Sequence, residues 1–287
     1  MLEVVLAHSR VTAPDVTPSR WMILLHGIFG TGGNLRTFAR KLVERQPHWG
    51  FVLPDLRAHG GSLGLPPPQT FAEAARDIVR LEASLGHPVH GIAGHSFGGK
   101  VAMARMQLEP SSIERLVVLD SAPGADPDRM IRDQAGQILQ LLERIPRPVR
   151  SREAFLDAIT AAGHSRPIAE WLAMQVRRSA SPAERDASAA EPARYELRLD
   201  LPAIRMMLEG YFATDLWSVL ESPPRDVRSL VVVGGRSTVV RGADLARLRE
   251  LDGRGSLALR ILERAGHWLH ADDLDGLVDA VAPHLSP

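Results

Sequence analysis

The sequence predicts an α/β fold with a mostly parallel central sheet that is flanked by helices and interrupted by a helical insert. Through residues 1–123, short apolar segments alternate with longer segments of helical period. From residue 124 to 223 the apolar residues recur only at helical spacing, and strand patterns return after that. Alternating strands and helices imply crossover connections, and therefore parallel strands that are buried on both faces.

The elements of the first half are predicted from short β-rich runs and amphipathic stretches. Helices are expected at Leu35–Val43 and Phe71–Leu85. The second helix has a capping-box signature, since Thr70 can accept from the backbone N–H of Glu73 while the Glu73 side chain reaches back. The predicted strands of this half are Leu2–Ala7, Met22–His26, Phe51–Pro54, Val89–Ala93 and Leu116–Asp120.

The second half is predicted to contain an insert and then the rest of the sheet. No convincing strand is expected in 124–223, and Arg177–Arg198 reads as an exposed connection or a loosely held helix pair. Strands at Leu230–Val233 and Leu257–Leu262 precede a last helix that ends near Val281. We therefore predict a core domain of residues 1–123 and 224–287, with 124–223 as an inserted helical lid rather than a plain surface elaboration.

Composition excludes several classes of function. The 34 Lys and Arg balance the 34 Asp and Glu, so the basic excess typical of nucleic-acid binding is missing. There is no cysteine, which excludes disulfides, thiolate catalysis and Cys-ligated metals. Neither a signal peptide nor a membrane-spanning apolar run is apparent. The expectation is a soluble, cytoplasmic protein, monomeric or homodimeric, without integral membrane association.

The segment Gly94-His95-Ser96-Phe97-Gly98 carries the strongest chemical signal. It follows a predicted strand and opens a predicted helix, which is the context that a G-x-S-x-G nucleophile needs. The glycines allow a sharp turn that lifts the serine hydroxyl above the carboxyl ends of the strands. Ser96 is therefore the predicted nucleophile.

A serine nucleophile needs a base to take its proton. His267 follows the last predicted strand, in a loop that points back over the sheet toward Ser96, and it is the predicted base. His270 is the fallback. The other histidines near glycine-rich segments, His26, His59 and His95, are interpreted as structural.

Two backbone N–H groups are expected to form an oxyanion hole. The residue after the nucleophile supplies one of them, which assigns Phe97. The second comes from the loop after the strand Met22–His26, where Ile28 is the first choice and Phe29 the alternative.

These motifs together resemble a known superfamily. The segments 26–30, 54–62, 94–100 and 266–268 are similar to those of the α/β-hydrolase superfamily, and most similar to bacterial esterases related to the mitochondrial abhydrolase-domain-containing protein 11. The resemblance runs along nearly the whole chain and is weakest in the insert. It implies cleavage of esters or thioesters through an acyl-serine, with no metal and no organic cofactor.

The acid of the triad departs from the usual superfamily pattern. The position expected after the strand that follows the lid carries Ser237 instead of aspartate. Asp120, at the end of the strand after the nucleophile helix, is the preferred substitute, as in the relatives this chain most resembles. Asp244 and a dyad assisted in another way are the alternatives. We further expect Ser237 to donate a hydrogen bond to Asp120 and to aim it at His267.

The sequence thus predicts a serine hydrolase that cleaves small-molecule carboxylic esters, with thioesters as a second class. Carbon–carbon bond hydrolysis, perhydrolysis and a non-catalytic ligand-binding role remain alternatives, because they use the same fold. The candidate residues of an acyl pocket in the insert are Trp171, Met174, Met206, Met207, Tyr211 and Phe212.

Overall fold

A computed structural model describes residues 5–108, 112–178, 195–224 and 226–286. The strands are β1 His8–Val11, β2 Arg20–Leu25, β3 Trp49–Pro54, β4 Gly91–His95, β5 Arg115–Leu119, β6 Val176–Arg178, β7 Tyr195–Leu197, β8 Arg228–Gly234 and β9 Ala258–Leu262. The α-helices are α1 Arg36–Arg45, α2 Phe71–Ser84, α3 Phe97–Leu108, α4 Arg129–Arg132, α5 Gln134–Arg144, α6 Arg152–Ala161, α7 Arg166–Ala173, α8 Leu201–Ala213, α9 Trp217–Glu221, α10 Ala243–Gly253, α11 Leu269–Asp272 and α12 Leu274–Val281.

A seven-stranded sheet in the order β1-β3-β2-β4-β5-β8-β9 forms the centre of the molecule. Every neighbouring pair in it is parallel except β1 with β3. Side chains alternate between its faces. In β5, Leu116 and Val118 pack with α2 and α3, whereas Val117 and Leu119 pack with α1 and α12. The predicted mostly parallel, helix-flanked sheet is therefore confirmed.

The sheet order decides which chain segments meet at its carboxyl edge. The strands β4, β5, β8 and β9 are consecutive neighbours, and each is followed by a loop that carries a candidate site residue. Ser96 follows β4, Asp120 follows β5, Ser237 lies in the loop after β8 and His267 in the loop after β9. Asp120 thus lies at the end of β5, between β4, which precedes Ser96, and β8, the strand after which the acid is expected from the resemblance.

The described residues between β5 and β8 form the helices α4–α9 and one small sheet. The strands β6 and β7 pair antiparallel, with Val176 opposite Leu197. The expectation that 124–223 holds no strand is therefore wrong; these strands have three residues each, too few to give a readable alternation. Most of the predicted connection Arg177–Arg198, namely residues 179–194, lies outside the described residues.

Two further local predictions are corrected. The first strand was predicted at Leu2–Ala7, but residues 5–7 are irregular and the strand is His8–Val11; residues 1–4 lie outside the described part. Thr70 caps α2 as expected by accepting from Glu73 N, whereas the Glu73 carboxylate pairs with Arg76 and Arg80. Within the described ranges, no helix is both long and apolar enough to cross a membrane.

Candidate active site

Ser96 lies at a sharp turn between β4 and α3. Its φ is +52°, a left-handed conformation that non-glycine residues rarely adopt. The turn needs glycine on both sides of the serine, because a Cβ at Gly94 would lie 2.1 Å from the Gly98 carbonyl oxygen. A Cβ at Gly98 would lie 2.5 Å from the carbonyl oxygen of His26. The spacing of the motif is therefore a steric requirement of the turn.

Ser96, His267 and Asp120 are hydrogen-bonded in series. His267 Nε2 lies 3.0 Å from Ser96 Oγ, and His267 Nδ1 lies 2.6 Å from Asp120 Oδ2. With Nδ1 protonated and donating to the carboxylate, Nε2 is free to accept the serine proton. The arrangement can activate the Ser96 hydroxyl as a nucleophile.

Asp120 is completely buried and is held by backbone and side-chain donors. Its φ is +46°, and its own N–H donates to Val232 O at 2.8 Å. Gly234 N donates to Oδ1 at 3.2 Å, and Ser237 Oγ donates to Oδ2 at 2.5 Å. The expected contact between Ser237 and Asp120 is therefore present. These donors compensate the carboxylate for its loss of water.

Asp244, the alternative acid, lies elsewhere. It stands in the first turn of α10 and lines the cavity described below. Burial raises its pKa, and the cations that act on it are Arg129, Lys100 and Arg247. Since Nδ1 of His267 already donates to Asp120, the geometry favours Asp120 over Asp244.

Two other histidines flank His267. The His95 Nε2–H donates to the His267 carbonyl oxygen at 2.7 Å, and burial lowers the pKa of His95 well below its usual value. Burial also lowers the pKa of His270, the fallback base, to about 4. The His270 ring packs edge-on against His95, whereas the hydrogen bond to Ser96 comes from His267. The structure thus brings His267, not His270, within hydrogen-bond distance of Ser96.

Ile28 and Phe97, which carry the two predicted oxyanion donors, line the same cavity as Ser96. Ile28 lies in the loop after β2, and Phe97 is the first residue of α3. Within the described residues, neither backbone N–H has a hydrogen-bond acceptor. By contrast, the N–H of Phe29, the alternative, donates to His59 Nε2 at 3.0 Å. The loop therefore leaves Ile28 as its available donor.

His26 and His59 hold this loop reciprocally, as their structural interpretation predicted. His59 accepts the Phe29 N–H, and His26 Nε2 accepts the N–H of Leu56 from the following loop at 2.9 Å. Burial lowers the pKa of His26 to about 4 and that of His59 to about 3. Both imidazoles therefore stay neutral, as acceptor nitrogens must.

A cavity of about 960 Å³ opens above Ser96. Of the predicted pocket residues, Trp171, Met174, Tyr211 and Phe212 line it. Met206 and Met207 do not, because Met206 faces solvent and Met207 is buried in the core. Helical spacing alone did not distinguish the cavity side of α8 from its other sides.

The side of the cavity near α4 and α10 carries paired charges. Arg129 pairs with Asp133 at 3.2 Å and donates to the carbonyls of Thr238 and Val239, directly after Ser237. Arg132, Arg241, Asp126 and Asp244 also line the wall. Among the described residues, no group of histidine and carboxylate side chains is arranged to hold a metal ion.

Two residues near the site were given no role by the sequence analysis, although Lys100 lies in the segment 94–100 that carries the resemblance. Lys100 in α3 is buried, and its ammonium donates to Gly124 O at 2.7 Å; burial lowers its pKa to about 8. Gln175, between α7 and β6, is buried and donates to the loop after β2. Both contacts join segments that are distant in sequence, so only the tertiary structure reveals them.

Known proteins resemble this chain along most of its length. The family model described as "Alpha/beta hydrolase family" matches residues 22–280. The "sn-1-specific diacylglycerol lipase ABHD11" of Mus musculus is 25% identical over 268 residues, which are 92% of this chain and 80% of the relative. "Esterase YbfF" of Escherichia coli is 25% identical over 92% of both chains.

A solved structure, described as "Marine microorganism esterase", superposes with a TM-score of 0.77 at 20% identity, covering 99% of this chain and 100% of its own. At this identity the likeness supports the fold. The family match, by contrast, spans both the segment around Ser96 and the segment around His267. This chain therefore belongs to the alpha/beta hydrolase family, as the motifs around Ser96 and His267 predicted.

Proposed function

We propose that this protein is a carboxylic ester hydrolase that works through an acyl-serine formed on Ser96. The observation that carries the proposal is the hydrogen-bonded series Ser96–His267–Asp120, of which Ser96 and His267 line the cavity and Asp120 is buried behind them. The names of relatives that span 92% of the chain, a lipase and an esterase, support the same class of reaction.

Acylation begins when Ser96 Oγ attacks the carbonyl carbon of the ester and His267 Nε2 takes the hydroxyl proton. The imidazolium that forms is stabilised by Asp120, which stays ionised. The developing oxyanion accepts from the N–H groups of Ile28 and Phe97, each worth on the order of 3 kcal/mol in the transition state. His267 then protonates the leaving alcohol, and the carbon–oxygen bond breaks.

Deacylation repeats these steps with water as the nucleophile. His267 takes a proton from water, hydroxide adds to the acyl carbon, and the same N–H groups hold the second oxyanion. The proton returns to Ser96 Oγ as the acid leaves. The chain's own residues supply every proton transfer in this scheme.

Small or medium acyl chains are the proposed substrates. A cavity of about 960 Å³ lies at the upper end of the usual range for small-molecule sites. Its apolar lining includes Trp171, Leu208 and Phe212, which suit a hydrocarbon chain. Thioesters are the second proposed class, since the same attack releases a thiol. That the protein acts as a cytoplasmic monomer or homodimer remains a prediction.

A panel of p-nitrophenyl esters and acyl-CoA thioesters tests the proposal. The wild type is expected to cleave short and medium esters. Ser96→Ala should lower kcat by about 10⁴-fold or more, and Asp120→Asn by about 10⁴-fold, as triad substitutions do elsewhere. Asp244→Asn, a matched carboxyl-to-amide change in the same cavity, should leave kcat unchanged.

The same panel can contradict the proposal. Loss of activity in Asp244→Asn alone would show that the acid is Asp244 in α10 and not Asp120 after β5. A folded wild type that cleaves no ester or thioester would favour ligand binding or another bond type. Circular dichroism of each variant establishes that it is folded.

A further inference from the structure

Gln175 connects the helical insert to the loop that follows β2. It lies between α7 and β6 and is 2% exposed. Its side-chain nitrogen is 2.8 Å from the Phe29 carbonyl oxygen and 2.9 Å from the Gly30 carbonyl oxygen. Because both partners are acceptors, the amide donates both of its hydrogens to this loop.

The contact depends on the chemistry of Gln175 as well as on its size. Two convergent carbonyls require a side chain with two hydrogens on one nitrogen. A glutamate of the same shape would direct a carboxylate oxygen at both carbonyls and repel them. A methionine would fill the space and leave two buried acceptors unpaired, which is unfavourable.

The backbone around Gln175 is itself fixed to the core. Its carbonyl oxygen accepts from Arg198 N at 2.8 Å. The Arg198 guanidinium donates to Gly60 O at 2.9 Å, and Gly60 N donates to Arg198 O at 3.1 Å. Gln175 therefore contacts the loop after β2 through its side chain, while its backbone is linked through Arg198 to Gly60 in the loop after β3.

Phe29 is held from two sides. On the core side, the Phe29 N–H donates to His59. On the insert side, the Gln175 side-chain amide donates to the Phe29 carbonyl oxygen. Its φ of +62° is unfavourable for a residue with a side chain, so the turn needs such restraints. Ile28, whose N–H is the proposed oxyanion donor, is the residue directly before this turn. Rotation of the turn would move that N–H.

We propose that Gln175 is a positioning residue through which the insert holds the loop after β2 in its active geometry. This loop, which contains Ile28, Phe29 and Gly30, is called the oxyanion loop below. The inference rests on the proposed function, because it assigns Gln175 a role in holding the Ile28 N–H. On this proposal, the part of the insert near Gln175 stays bound to the loop after β2 throughout the reaction. Substrate then enters without lifting this part of the insert from Phe29 and Gly30.

Kinetics of Gln175→Met and Gln175→Glu, with Gln137→Met and Gln137→Glu as controls, test the proposal. Gln137 is an exposed glutamine of the same insert, and the cavity lining does not include it. Active enzyme is counted by fluorophosphonate titration, so kcat refers to folded sites. Both Gln175 variants should lose about 10- to 100-fold in kcat, less than removal of an oxyanion donor, while KM stays within about twofold.

A second readout separates positioning from simple support. A trifluoromethyl ketone forms a tetrahedral adduct with the serine, so its inhibition constant should rise by the same factor as kcat falls. The pH midpoint of kcat/KM should not move, since the His267–Asp120 pair is untouched. The control variants should match the wild type in all three measurements.

Three outcomes would overturn the inference: full kcat in both Gln175 variants, a change confined to KM, or equal losses in the Gln137 controls. The proposed function fails separately. If the wild type neither reacts with the fluorophosphonate nor cleaves esters, the acyl-serine mechanism is wrong. If the wild type is active and the Gln175 variants are as well, only the role of Gln175 is wrong.

Discussion

Three residues of the site have backbone conformations that side chains normally disfavour. Phe29, Ser96 and Asp120 have φ values of +62°, +52° and +46°. Such conformations cost of order 1–3 kcal/mol each and persist where the surroundings fix them. Each N–H here has an acceptor: Ser96 N donates to Leu119 O, Asp120 N to Val232 O, and Phe29 N to His59 Nε2. The strain is concentrated where the proposed chemistry needs defined directions.

At this scale, the sequence predicted features that neighbouring residues determine, and it left open those that depend on contacts between distant segments. The turn around Ser96 is encoded by glycines two residues away on either side, so its position followed from the motif. The acid was ambiguous between Asp120 and Asp244, because the strand order that puts β5 beside β8 has no local signature. The contact of Ser237 was expected only because that residue replaces an aspartate.

Ser237 gives a residue-scale prediction. Ser237→Ala removes the 2.5 Å hydrogen bond to Asp120 and is expected to lower kcat about tenfold at unchanged KM. The reason is that a hydrogen bond to a charged group contributes about 1.5–3 kcal/mol, and its lower figure corresponds to about tenfold in rate. Steady-state kinetics on the best ester measure the effect.

Two controls accompany this substitution. Ser237→Thr keeps the hydroxyl and should keep most of the activity. Ser229→Ala removes a buried hydroxyl from β8 that has no partner in the described residues, and should leave kcat unchanged. Wild-type kcat in Ser237→Ala would show that Asp120 is aimed without Ser237.

At the scale of elements, the loops after β2 and β3 act as one unit. His26 in the first accepts from Leu56, and His59 in the second accepts from Phe29. Their rings meet edge to face at 5.1 Å. Protonation of either imidazole would remove the acceptor that joins the loops. The hydrogen bonds that join the two loops through these imidazoles therefore require both histidines to be neutral.

The consequence is a pH-dependent stability. The pKa of His59 is about 3 in the folded chain and about 6.5 when unfolded, so the unfolded state binds more protons between these values. The free energy of unfolding contributed by His59 is complete above pH 6.5 and is lost as the pH falls. In His59→Gln, the amide oxygen can still accept from Phe29, but the group no longer titrates. The slope of the free energy of unfolding against pH should therefore fall by about 1.4 kcal/mol per pH unit.

Urea unfolding of wild type and His59→Gln at pH 4.5 and 5.5 measures this slope. Between pH 7 and 8 the imidazole of His59 is neutral in both states, so that window serves as the internal control. Equal slopes in the acid window would contradict the assignment of His59 as a buried neutral acceptor.

Elements were predicted unevenly from sequence. The buried parallel strands β2, β3, β4, β5 and β8 are apolar runs bounded by turns, so they were located within two residues of their ends. The edge strand β1 and the short pair β6 and β7 carry no such run and were misplaced or missed. Their formation depends on partners, such as β3 for β1, that the local sequence does not specify.

At the scale of the whole molecule, the insert lines the cavity of the candidate site and is attached to the core around it. Arg129 fixes α4 to the loop after Ser237, Lys100 holds Gly124 at the start of the insert, and Gln175 holds the oxyanion loop. The class of fold followed from the alternation of strands and helices. These three attachments did not, because each joins residues that only the folded chain brings together.

Covalent labelling with a fluorophosphonate, followed by peptide mass mapping, tests the central claim most directly. The account predicts a single adduct on the peptide that contains Ser96, its loss in Ser96→Ala, and protection by a cleavable ester. Such a result follows from a serine whose hydroxyl is activated by His267 and Asp120. A folded wild-type protein that remains unlabelled, or an adduct on another serine, would contradict it.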